Sequence, residues 1–186
     1  MSGAGQDRAG TAASLPDRVV SIHINAPVDR VWAEITKVGA VQRALFDTVL
    51  ECELRPGSRL RYCSRDRKRV FVVGEVVEVD PPRRFVHTYR FTTWKTDTAT
   101  LVAWELADEA GGCRVTVTHS GWTTDHGKLV EETDKGWRGI LEVLKHEMET
   151  GRIPLKTRLA YRVMHSLSFM LLRSTRTSYQ DRRGSG

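Results

Sequence analysis

Hydrophobic and polar positions alternate along most of the chain and switch to helical spacing in a few places. Val19–Ile24 interleaves apolar residues with Ser21 and His23, the period of two expected of a half-buried strand. Asn25-Ala26-Pro27 ends that run, and Pro27 suits a helix start, where its missing N–H costs nothing. Val28, Val31, Trp32 and Ile35 then recur three and four apart, which predicts a short amphipathic helix to about Lys37. Gly39 breaks it, and Val41–Phe46 reads as a second short helix.

From Thr48 to Ser120 the period returns to two. Turn signals at Arg55-Pro56-Gly57, Arg65-Asp66-Arg67, Asp80-Pro81-Pro82, Lys95-Thr96-Asp97 and Glu109–Gly112 divide it into strands at about 48–54, 58–64, 69–79, 84–92, 98–107 and 113–120. Consecutive strands joined by short loops make an antiparallel meander. Thr133, Trp137, Ile140, Leu141, Leu144 and Met148 then form one helical stripe over about 128–150, with acids early and Gly151 as its stop. A last amphipathic segment follows Pro154, with Leu155, Leu159, Val163, Leu167 and Leu171 four apart. The order predicts an α+β fold in which seven twisted antiparallel strands wrap a long C-terminal helix, with one extra basic helix behind it.

Composition narrows the classes. The chain has 186 residues, 40 % hydrophobic and 28 % charged, enough for one core and unlike a collagenous or wholly disordered chain. No apolar run reaches the roughly 18–20 residues of a membrane-spanning helix. The net charge of +6 is uneven: residues 152–186 hold eight bases against the single acid Asp181, so the remainder is close to neutral. That argues against a uniformly basic nucleic-acid surface. Cys52, Cys63 and Cys113 form no C-x-x-C pair and read as small buried hydrophobes. With no apolar export segment in the first eighteen residues, they point to the cytoplasm. The organisation expected is a disordered leader (1–16), a domain (17–151), a basic amphipathic helical extension (152–173) and a disordered tail (174–186).

Several runs resemble a known superfamily. Ile24-Asn25-Ala26-Pro27-Val28-Asp29-Arg30-Val31-Trp32 resembles the opening signature of the SRPBCC (START/Bet v 1-like) proteins. Gly74–Tyr89 resembles their middle signature, and Thr116–Trp122 with Lys135-Gly136-Trp137 their closing ones. Together these resemble the branch of activator of heat-shock-protein-90 ATPase homologue-like proteins, over about residues 19–151. The resemblance implies a helix-grip fold with a deep, mostly apolar cavity, and as a partner a chaperone or a small hydrophobic ligand. The branch often ends its second short helix in a tryptophan-rich stretch, where this chain has Ala44-Leu45-Phe46.

The cavity candidates are Trp32, Tyr62, Phe85, His87, Tyr89, Phe91, Trp104, His119, Trp137 and Leu141, all on apolar stripes. Phe85, His87, Tyr89 and Phe91 share one strand parity, and plain core packing explains such a stripe as readily as cavity lining does. Tyr62 and Tyr89 could supply hydroxyls to an apolar site, and His87 or His119 a base or an anchor. Glu75 and Glu78 differ in parity, so a regular strand cannot turn both to one cavity. No nucleophile elbow, phosphate loop, dinucleotide fingerprint or metal-ligand spacing occurs, so no catalytic residue, metal or cofactor is nominated. The leading expectation is non-catalytic binding of a small hydrophobic or amphipathic molecule, lipid-like or polyketide-like. The alternatives are a chaperone-ATPase-regulating module, implied by the resemblance, and a cyclase- or hydrolase-like enzyme using cavity Tyr or His. For the tail helix (154–173) three readings stand: packing on the domain, contact with an anionic membrane surface, or docking of a protein partner.

Overall fold

The computed structural model describes residues 12–167, 175–177 and 180–181. One antiparallel sheet of eight strands carries the fold. Its strands are β1 (Arg18–Ile24), β2 (Val41–Gln42), β3 (Thr48–Glu51), β4 (Arg59–Cys63), β5 (Val70–Asp80), β6 (Arg84–Phe91), β7 (Thr100–Glu109) and β8 (Gly112–Ser120). The spatial order is β1-β8-β7-β6-β5-β4-β3-β2, so everything after β1 is a meander and β1 closes the far edge against β8. Helix α1 (Val28–Ile35) follows β1, α2 (Leu129–Thr150) follows the sheet, and α3 (Leu155–Leu167) follows α2.

Alternation makes the sheet two-faced. In β8, Cys113, Val115, Val117 and His119 are buried, while Arg114, Thr116 and Thr118 point to the wetter side. Helix α2 lays Trp137, Ile140, Leu141, Leu144 and Met148 against the apolar face. Its end follows from Gly151, whose left-handed φ of 73° lets its N–H bond the carbonyl of Glu147 at 2.8 Å.

The expected second short helix is instead β2 and a turn, which raises the strand count from seven to eight. A helix of six residues is too short to sustain itself. Gln42, fully buried, gives its side-chain amide to the carbonyls of Glu34 and Ile35 at 3.1 and 2.9 Å. It thereby satisfies the end of α1, while the backbone of Val41 and Gln42 pairs with β3. Phe46 and Asp47 both take φ of 57°, which stops any continuing helix.

The expected leader lies outside the described residues as far as residue 11. Its described end is bonded to the domain: Leu15 donates its N–H to Trp122, and Thr124 donates to Ala13. Of the expected tail, residues 175–177 and 180–181 are described and lie along the β4–β5 turn, where Arg69 bonds Thr175 and Arg61 bonds Asp181.

Candidate functional site

The strand parity of β6 turns Phe85, His87 and Tyr89 to the apolar face, where β7 adds Trp104, β8 adds His119, β4 adds Tyr62 and α2 adds Trp137. The rings form one continuous chain. His87 lies 6.0 Å from Tyr62, 5.1 Å from Phe85 and 6.2 Å from Tyr89 between ring centroids. Tyr89 stands edge-on to Phe91 at 5.2 Å and to His119 at 5.1 Å. Trp137 is 6.0 Å from both Tyr89 and His119 and edge-on to Trp104 at 5.4 Å. Eight of the ten expected residues thus meet in this chain. Leu141 is buried one turn beyond Trp137, while Trp32, half-buried on α1, makes none of these ring contacts.

The two histidines differ in what their nitrogens do. Trp137 Nε1–H donates to His119 Nδ1 at 2.9 Å, so the His119 proton sits on Nε2. That N–H meets Thr100 Oγ at 2.7 Å, and the Thr100 hydroxyl donates in turn to the carbonyl of Tyr89 at 2.9 Å. Both nitrogens of His119 are therefore engaged. In His87, Nδ1–H donates to the carbonyl of Thr88 at 2.9 Å, which leaves Nε2 as a lone-pair acceptor. That nitrogen is fully buried and has no hydrogen-bond partner among the described residues.

Burial pushes both imidazoles down, His87 to about 4 and His119 to about 3, the latter helped by His87 and His126 nearby. Both are neutral at physiological pH. Burial raises the phenols of Tyr62 and Tyr89, to which Cys52 and Tyr62 respectively add. Neither hydroxyl bonds another described residue.

Two residues of this region escaped sequence reasoning. Trp94, in the turn after β6, packs at 5.5–6.0 Å from Tyr89, Phe91, Trp122 and His126. His126 is buried beside it and accepts the Thr123 N–H on Nδ1 at 3.0 Å, closing a capping box. The only signal for Trp94 was a large aromatic between Thr93 and Lys95 in an otherwise polar turn.

The carboxylates stay outside. A bulge between Val76 and Glu78 resets the parity of β5, so Val76 and Val79 both pack inward while Glu78 pairs with Arg84 at 3.0 Å. The basic β4–β5 hairpin is offset by Glu51, which lies 3.0 Å from both Arg61 and Arg67. Glu147 on α2 is the exception: nearly fully buried, it meets Arg43 at 2.7 Å, and burial raises its carboxyl pKa, with Glu34 adding to the effect. It borders a groove of about 360 Å³ that also takes in Arg30, Lys37 and Met148. Among the described residues, no three His, Cys, Asp or Glu side chains gather as a metal site requires.

A long helix held against the concave aromatic face of a closing antiparallel sheet defines a helix-grip α+β domain of the START/Bet v 1-like kind. More particularly, the chain belongs to the family described as activator of Hsp90 ATPase homolog 1-like protein, whose model matches residues 25–149. Among solved structures it is similar to DynU16, a putative protein in the dynemicin biosynthetic locus, with 25 % identity and a TM-score of 0.60 over 74 % of this chain and 48 % of that one. The chain therefore spans about half the length of that relative. It is also similar in fold to MLL2253 from Mesorhizobium loti (17 % identity, TM-score 0.62, 74 % and 100 % covered). An HSP90 activator from Plasmodium falciparum is a third (17 %, 0.58, 74 % and 97 %). The search of the curated proteins returned no match.

Proposed function

We propose that the domain binds a small hydrophobic molecule carrying at least one hydroxyl or other donor, held between the concave face of the sheet and α2. The observation that carries this reading is His87 Nε2, a buried acceptor with no partner among the described residues, flanked by the rings of Tyr62 and Tyr89. An unmet buried acceptor costs about 1–3 kcal/mol, which a ligand donor would recover. Apolar walls with a few aimed polar groups are the usual composition of such sites. The lining proposed is Tyr62, Phe85, His87, Tyr89, Phe91, Trp104 and Trp137, with Leu141 above and Trp32 at the margin.

The role is binding rather than turnover. An imidazole with a pKa of about 4 is a weak base at neutral pH, and no carboxylate stands in the ring chain to raise it. His119 is committed on both nitrogens. The fold itself hosts many functions and does not decide among them.

Native mass spectrometry of freshly purified protein, followed by organic extraction, tests the reading. A stoichiometric hydroxyl-bearing hydrophobe, present at lower occupancy in a His87→Leu variant that remains folded, is the expected result. A clean apo mass together with a changed ATPase rate of an added Hsp90 would instead assign the regulatory role carried by the family's name.

A further inference from the structure

Helix α3 has two opposed faces. Tyr161 is buried, 5.7 Å from the ring of Phe46, and its hydroxyl reaches the carbonyl of Ala44 at 3.5 Å. Ile153, just before the helix, is buried as well, and Thr157, one turn before Tyr161, is half-buried. These residues dock α3 on the domain. Leu155, Leu159 and Val163 stand at spacings of four and are 77 %, 63 % and 53 % exposed. At about 100° per residue that stripe lies on the side of the helix away from Thr157 and Tyr161. On the same projection Arg158 and Arg162 border it on one edge and Lys156 on the other, all three exposed. Between Arg152 and Gln180 the sequence holds no acid.

An isolated exposed leucine needs no explanation, but three in a row on one helical face, rimmed by cations, do. The spectrum of occupants is narrow. A second copy of the same face would bring like charges together along both rims. A surface that is apolar within and anionic at its boundary matches the stripe and both rims at once. We infer that α3 is an interfacial helix: it lies in the plane of an anionic membrane surface, with Leu155, Leu159 and Val163 among the upper acyl chains and Lys156, Arg158 and Arg162 at the head groups. No helix among the described residues is long and apolar enough to cross a membrane, so the contact is peripheral. This inference does not depend on the ligand reading, since none of its residues faces the ring chain.

Vesicle co-sedimentation of the full chain tests it. The protein pellets with phosphatidylcholine vesicles that contain phosphatidylglycerol and stays in solution with phosphatidylcholine alone. Binding weakens steeply between about 0.05 and 0.5 M salt, over which the screening length shortens roughly threefold. Lys156→Gln with Arg158→Gln lowers the partition coefficient roughly twenty-five-fold, at about fivefold per cation. Leu155→Gln with Leu159→Gln lowers it at least as far and leaves the thermal midpoint unmoved, because both side chains are already in water. Equal binding to neutral vesicles, no binding to anionic ones, or undiminished binding in the leucine variant overturns the inference. So does a concentration-dependent dimer that the leucine variant dissolves.

Discussion

The two histidines of the concave face sit two strands apart and share the chain of rings around Tyr89, yet they do opposite things. His119 is built into a relay in which Trp137 donates to it and it donates onward to Thr100. His87 is as deeply buried and its basicity is likewise depressed, to about 4 against about 3, but one nitrogen is left unmet. A satisfied buried polar group belongs to the architecture and rigidifies it. An unsatisfied one is a cost the fold sustains, and a ligand is what would make use of it. Similar residue, similar depth and similar pKa therefore do not make a similar role; the hydrogen-bond inventory does.

Acidification shakes both histidines most. Each folded-state pKa lies below the unfolded value of about 6.5, so the unfolded chain binds more protons and stability falls as pH drops. The contribution is fully present above about pH 6.5 and drains away towards about 4 for His87 and about 3 for His119. Between pH 6.5 and 4 each costs up to about 3 kcal/mol, at about 1.4 kcal/mol per unit. Glu147, whose carboxyl is raised, works in the opposite sense. Urea unfolding at stepped pH, on wild type and on His87→Leu, isolates the histidine term as a difference in slope; equal slopes would mean that His87 is not the buried neutral group described.

At fixed neutral pH, His119→Ala is expected to cost about 3 kcal/mol or more. It leaves a cavity and strips Trp137 and Thr100 of their partner. His87→Leu removes an unmet acceptor but also the Nδ1–H bond to the Thr88 carbonyl; the two largely offset, and stability is expected to move by less than about 1 kcal/mol in either direction. Equal costs at the two positions would break the comparison. For ligand the order reverses: His87→Leu lowers affinity about tenfold, the worth of one hydrogen bond, read by calorimetric titration of the extracted molecule. The smallest effect is that of Tyr62→Phe or Tyr89→Phe. Removing a hydroxyl that no described residue bonds leaves the urea midpoint within about 0.5 kcal/mol, while affinity drops a few-fold if that hydroxyl touches the ligand.

Much of this was legible beforehand. The alternation of β6 placed Phe85, His87, Tyr89 and Phe91 on one side because a strand has no other option. The stripe of α2 and its stop at Gly151 were equally plain. What escaped depended on partners distant in sequence. Val41–Phe46 has no internal pattern that announces a strand; it is one because Gln42 finds the end of α1 and β3 lies alongside. Glu78 took the outer face through a bulge that the strand's own alternation does not encode. Trp94 is buried because Tyr89, Trp122 and His126 converge on its turn from three other segments.

By itself the sequence determined the two-fold and 3.6-fold periodicities, and with them the element order, the inward rings, and a tail helix with an apolar stripe and basic edges. Those are properties of neighbouring residues and need only local geometry. Tertiary structure alone decided which histidine nitrogen is met and which face of α3 is docked, because both depend on contacts between segments that no local period records. Trp137 closes on His119 across 18 residues, and Tyr161 reaches Ala44 across 117.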